Sequence, residues 1–167
     1  SVQYAGPLES MPVERWEQDI AVNLSACFHT CRRVLPGMRE RNWGRIVNVS
    51  GLGARRSGSV AQTVRNISVA AITKNLADEL GPHGVNVTVV HPGATRTEPV
   101  AARVEALVAA GTPLADAEAQ VAGNIIGRVV TPEELADVIV FLASPRSVAI
   151  TGGAVDAGGG TPGVVTY

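Results

Sequence analysis

Few side chains in this sequence are suited to chemistry, and their spacing sorts them. Cys27 and Cys31 flank His29, a set that could hold a soft metal ion such as zinc through thiolate and imidazole. In a helix, residues four apart share a face and the one between them points elsewhere. Two thiols on an apolar stripe then read as core, and no metal is expected. His91 directly precedes a Pro92-Gly93 turn and is the one group there able to exchange a proton near neutral pH. Arg55, Arg56 and Arg65 crowd one neighbourhood, where they could steady an oxyanion or simply be solvated, the simpler reading. His83, in a Gly-Pro turn, reads as solvated. Lys74 is the only lysine, and the only tyrosines, Tyr4 and Tyr167, stand at the two extremes. Gly158–Gly160 reads as a turn, because no helix follows to aim its N–H groups at a phosphate.

The elements that must position these residues follow from hydrophobic period. Trp16, Ile20, Leu24, Cys27, Phe28, Cys31, Leu35 and Met38 recur at three- and four-residue steps, which predicts a helix over 11–41. Ser10 suits its N-cap and Pro12 its first turn, and Pro36 should kink it or split off a last turn. Residues 45–50 form a β-branched strand, and 51–59 a Gly/Ser/Arg loop. A second helix is expected over 60–80, with Val64, Ile67, Ala71, Ile72, Leu76 and Leu80 on its apolar side, stopped by residues 81–84. A buried strand follows at 85–90. Gly111 and Pro113 divide the alanine-rich stretch 98–122 into two short helices. Thr131-Pro132-Glu133-Glu134 begins another helix with a capping box, running to about Leu142. A last strand is expected near 149–155.

The 167 residues are 46% hydrophobic and 17% charged, with a net charge of −1, enough for one domain with a real core. So balanced a charge, without a basic run, argues against a nucleic-acid partner. The apolar runs are too short to span a membrane, and no secretory signal opens the chain. Two cysteines form no disulfide framework, so reduced thiols and a cytoplasmic protein are expected. The start at Ser1, without methionine, suggests a processed or truncated chain. Alternation of helix and strand predicts an α/β fold with a doubly wound parallel sheet. Three parallel strands are few for a free-standing sheet, so a preceding N-terminal βα half is expected to be missing.

Three segments carry a resemblance in the right order: PLESMPVERWEQDIAVNLSACFHTCRRVLPGMRERNWGRIVNVS, AAITKNLADELGPHGVNVTVVHPGATRT and ITGGAVDAGGG. Together they resemble the short-chain dehydrogenase/reductase family, in its 3-oxoacyl-carrier-protein reductase and 3-hydroxybutyrate dehydrogenase branch. The resemblance implies the C-terminal portion of a Rossmann-fold domain over residues 1–167, NAD or NADP as cofactor, and a small carbonyl or alcohol substrate. It also implies a homo-oligomer, dimer or tetramer, through the helices at 11–41 and 60–80. The family's glycine-rich phosphate loop would lie in the missing half.

The family's active-site set is Asn, Ser, Tyr and Lys, with the last two spaced Tyr-x-x-x-Lys. Its asparagine falls on Asn23, its serine on Gly51, its tyrosine on Gln62 and its lysine on Asn66. No gap placement restores Tyr-x-x-x-Lys. Loss of a positioned general acid typically costs on the order of 10²–10⁴ in rate. The resemblance places Asn66, Pro92, Gly93, Thr95 and Thr97 against the cofactor, and 98–122 over the substrate as a lid. His91 or an arginine is then a candidate to cover the missing acid. The expected function is an NAD(P)-dependent oxidoreductase; the alternative is a catalytically inactive homologue that binds a dinucleotide or partner subunits.

Overall fold

A computed structural model describes residues 6–55 and 57–165. Tyr4, Arg56 and Tyr167 lie outside the described residues. Three parallel strands form one sheet in the order β1 (Gly44–Val49), β2 (Val85–Pro92), β3 (Ala154–Ala157). Gly44 pairs with Val85 across the first ladder and Val90 with Val155 across the second. β2 is central, and Val85, Val87, Val89 and Val90 have at most 1% of their surface exposed. The strand is covered on both faces, so the polar residues that alternate with the valines, Asn86 and Thr88, are buried as well. The class is α/β, as the alternation of elements predicts.

Helix α1 (Val13–Ile20) continues through a widened π turn at Ala21–Ser25 into α2 (Ala26–Glu40). The start differs from the expected one. Ser10 donates its hydroxyl to the Pro7 carbonyl within a 3₁₀ turn, while the Pro12 carbonyl accepts from Arg15 and Trp16. Pro36 does not split the helix, which runs on to Glu40.

Helix α3 (Val60–Leu80) turns a different face to the sheet from the expected one. Its buried residues are Ala61, Asn66, Val69, Thr73, Ala77 and Leu80, whereas Val64 and Ile67 are exposed. Apolar and polar residues are spread around the whole helix, so period alone does not choose its inner face. Small side chains bring it close to the sheet, where Asn48 of β1 donates to the Thr73 hydroxyl at 2.9 Å. Cys31, Ile46, Ala77, Leu80, Val85 and Val87 form the core on this side. Residues four apart on α2 thus pack as a thiol pair, with Cys31 in the core and Cys27 against it.

On the other face lies α6 (Pro132–Ala143). Asn86, pointing opposite to Val85 and Val87, donates to the carbonyls of Ser147, Val148 and Ile150 beyond that helix. Because those carbonyls are held by a side chain, residues 147–150 cannot join the sheet. Gly152, with φ of 73°, then turns the chain. The last strand therefore begins at Ala154 and not near 149. Between β2 and α6, helices α4 (Glu98–Ala109) and α5 (Leu114–Ala122) break at Gly111 and Pro113 as expected. They pack a small core of their own around Val104, Ala117 and Val129.

The start of α6 is a complete capping box. The Glu134 N–H donates to the Thr131 hydroxyl at 3.2 Å, and the Thr131 N–H donates back to the Glu134 carboxylate at 2.9 Å. Arg128 adds two contacts to the same carboxylate, at 2.6 and 2.9 Å. Arg128 first, and the Thr131 N–H second, hold the Glu134 carboxyl down at about 2. A depressed carboxylate contributes stability above its unfolded pKa and loses it as pH falls through the folded one. Glu134→Gln keeps the cap but not the charge. Its Tm is expected to lie below the parent's at pH 7, with the gap closing between about pH 4.5 and pH 2. A gap constant across that range would show that the charge contributes nothing.

Candidate active site

Strands β1 and β2 end side by side, and beyond their C-terminal ends lies a cavity of about 460 Å³. In a parallel sheet this edge is where connecting loops leave room for ligands. Of the residues expected in a site, Gly51, Gln62, Asn66, Pro92 and Gly93 line this cavity together. Gln62 and Asn66 are one helical turn apart on α3, so both reach the same space. Asn66 is 4% exposed, and the Ser50 hydroxyl donates to its carbonyl at 3.1 Å. A Cβ on Gly53 would stand 2.9 Å from the Asn66 amide nitrogen, and one on Gly51 3.2 Å from it. The loop after β1 thus lies directly against the Asn66 amide. Gly93 is required for a different reason: a Cβ there would lie 2.8 Å from the backbone of Gly158. Gly158–Gly160 is a turn, as expected, with Gly159 and Gly160 at positive φ. Gly160 also lines the cavity.

Asn23, Thr95 and Thr97 are placed elsewhere. Asn23 sits in the π turn, where its amide donates to the backbone carbonyl of Asp19 at 2.8 Å and to its carboxylate at 3.2 Å. It borders a second hollow against β1, not the cavity with Gln62. Thr95 bridges to Val130, and Thr97 caps α4 through its backbone. His91 is 2% exposed and is not among the residues lining the cavity. Its Nδ1 is buried without a partner among the described residues. Burial holds its pKa below the usual histidine value; Asp156 opposes that shift, and Arg55, ion-paired to Asp156 at 3.0 Å, reinforces it. A neutral imidazole behind the wall is no ready proton donor to the cavity.

Cys31 has its thiol pushed up to about 11, by burial first and then by Cys27. His29 is exposed and stacks edge-on against Phe28. No three His, Cys, Asp or Glu among the described residues are grouped to hold a metal ion.

The three arginines separate. Arg55 is spent on Asp156, Arg56 is not described, and Arg65 lines the cavity. Arg65 is nearly buried and its Nη1 donates to both oxygens of Asp19, at 3.0 and 3.3 Å. This pair ties α1 to α3. Arg103, Asn124 and Thr161 also reach the cavity, and nothing in the sequence marked them. Arg103 is one helical turn from Val100, another lining residue, but only the packing of α4 shows which way both face.

A parallel α/β sheet with a polar cavity at its carboxyl edge, walled by a helix bearing residues spaced four apart, defines a Rossmann-type dehydrogenase scaffold. The chain belongs to the short-chain dehydrogenase/reductase family. The family model described as "Enoyl-(Acyl carrier protein) reductase" matches residues 1–161. A D-beta-hydroxybutyrate dehydrogenase of Cupriavidus necator is 36% identical over 95% of this chain and 64% of its own length. The short-chain reductase protein NovJ of Streptomyces niveus is 35% identical over 93% of this chain and 59% of its own. Among solved structures, a 3-oxoacyl-[acyl-carrier protein] reductase with bound NAD from Brucella melitensis superposes with a TM-score of 0.78 at 30% identity. That match covers 94% of this chain and 55% of the other. The chain therefore spans about three fifths of the length of the curated relatives it matches.

Removing one partner of a nearly buried ion pair leaves the other charged and unpaired, at a cost of about 3–5 kcal/mol. Asp19→Ala is expected to lose that much in urea unfolding, since it strands Arg65 and one Asn23 contact together. A midpoint within error of the parent's would mean that the pair carries no structural weight.

Proposed function

We propose that this protein is an NAD(P)-dependent oxidoreductase acting on a small carbonyl or alcohol compound. The observation that carries this reading is the convergence of Gly51, Gln62, Asn66, Pro92 and Gly93 on one cavity at the sheet's carboxyl edge. Relatives described as bound to NAD or NADPH support the cofactor. The donor set fits the nicotinamide end: the uncharged amides of Gln62 and Asn66 line the cavity beside the backbone of Gly51, Gly53 and Gly93. No described segment offers a cradle for the diphosphate end. When bound, the nicotinamide supplies or accepts hydride.

The chain's own residues do the rest. The Gln62 amide donates a hydrogen bond to a carbonyl oxygen but has no proton to surrender, so proton transfer falls to water. Asn66 offers hydrogen bonds without the charge that a lysine would bring. Helices α4 and α5 cover the far side and restrict water. We further propose that residues 1–167 act as one domain of a cytoplasmic homo-oligomer. Exposed Phe28, Val60, Val64 and Ile67 on α2 and α3 supply an apolar surface for subunit contact. No helix among the described residues is long and apolar enough to cross a membrane.

A second reading, an inactive homologue that binds dinucleotide or partner subunits, is favoured by one observation: among the described residues no tyrosine or lysine lines the cavity. Oxidation of NADH and NADPH with short ketones and β-ketoacyl thioesters separates the two. Slow parental turnover is expected, lowered further by Gln62→Ala. The double variant Gln62→Tyr/Asn66→Lys should raise it by about 10²-fold, the low end of what a general acid contributes. No parental turnover, with activity only in the double variant, would establish the inactive reading.

A further inference from the structure

The cavity carries a charge pattern that the oxidoreductase reading leaves unused. Among the described residues no aspartate or glutamate lines it, whereas Arg65 and Arg103 both do. Arg65 is held from behind by Asp19, which engages only its Nη1. A guanidinium carries five N–H donors in a planar fork. Among the described residues no acceptor takes those on Nε or Nη2 of Arg65, and Arg103 forms no ion pair. The Arg65 side chain is 12% exposed and paired to Asp19, so its position is fixed before a ligand arrives. Two cations in the wall, neutral amides at Gln62 and Asn66, and no opposing carboxylate suit an anionic ligand.

We propose that Arg65, aimed by Asp19 and assisted by Arg103, anchors the carboxylate of a small oxo- or hydroxy-acid substrate in this cavity. The inference rests on the oxidoreductase reading for the word substrate, but its binding claim does not need turnover. Planar guanidinium matches a carboxylate by parallel N–H bonds. Asp19 neutralises the arginine's back end and keeps the fork from swinging out. The chemistry of the reacting oxygen stays at Gln62, so the arginine decides which carbonyl compounds are held and does not supply the proton. Anionic oxygens could also come from the cofactor's phosphate, so the test must separate the two sources.

The test is equilibrium binding to the intact protein, read by ligand-observed NMR. Acetoacetate is compared with methyl acetoacetate, its uncharged ester. Acetoacetate is expected to bind at least about tenfold tighter, the margin of one charge-assisted hydrogen-bonded contact. Arg65→Gln should abolish that margin and leave the ester's affinity unchanged. Because Arg65→Gln leaves Asp19 unpaired, Asp19→Asn/Arg65→Gln is measured beside it. That pair keeps a side-chain hydrogen bond and lacks both charges, so it should lose the margin in a folded protein. Arg65→Lys should retain part of it. No saturable acetoacetate binding, equal binding of acid and ester, or a margin surviving the double substitution would overturn the proposal. Nicotinamide mononucleotide is the third probe. If Arg65→Gln weakens the mononucleotide and spares acetoacetate, the arginine serves the cofactor's phosphate and the proposal fails. A protein that binds acetoacetate through Arg65 yet oxidises no NADH or NADPH would sink the oxidoreductase reading alone.

Discussion

β2 has no face and no long edge in contact with water, and that constraint organises everything around it. Its peptide groups are satisfied by neighbouring strands, and β1 and β3 flank it in parallel. Parallel neighbours require crossovers, and those crossovers are α3 on one side and α4–α6 on the other. The end of β2 must then leave the sheet where β1 also ends. The cavity is the space that those two departures open, bounded by the loop after β1, the Pro92-Gly93 turn and the start of α3. Gly93 and Gly158 exist because the turns after β2 and β3 touch backbone to backbone.

Around that frame the polar groups divide into structural and free ones. Asp156 and Arg55 pair at the end of β3, near buried His91. Asn86 holds the turn after α6, and Asn48 with Thr73 ties α3 to β1. Asp19, Asn23 and Arg65 form a fourth group, and it differs from the others because one member faces the cavity. A buried ion pair is weak evidence of stability in general, since desolvation offsets much of the attraction. It is better evidence that a charge is being held in one place. Here that place is the cavity wall, where the guanidinium stands beside Gln62 and Asn66.

The family relationship and the side chains that line the cavity are separate matters. The first fixes the scaffold: helix α3 crosses the sheet's carboxyl edge and presents residues four apart to a ligand. The second acts on chemistry, because amides at both positions donate hydrogen bonds but neither holds nor tunes a proton. Scaffold and chemistry are separable in this way because function lives in a few side chains grafted on a common fold.

The order and type of the elements were legible in the residues alone. Continuous β-branched runs specify buried strands, and the Thr131–Glu134 box and the Gly111 and Pro113 breaks act through nearest neighbours. Spacing by four was enough to put Gln62 and Asn66 on one helical face. Other features depend on partners distant in sequence, and only the tertiary structure decided them. Which side of α3 is buried depends on how closely the sheet accepts small residues. Where the last strand begins depends on Asn86, some sixty residues upstream, capturing three carbonyls. Arg65 looked like one solvated charge among three, and what distinguishes it is Asp19, 46 residues away in the chain. His91 looked like a cleft residue because it precedes a turn, but strand alternation inside a covered sheet turned it inward. Local order is written in short-range sterics and hydrogen bonds, whereas the position of a charge depends on which distant group packs against it.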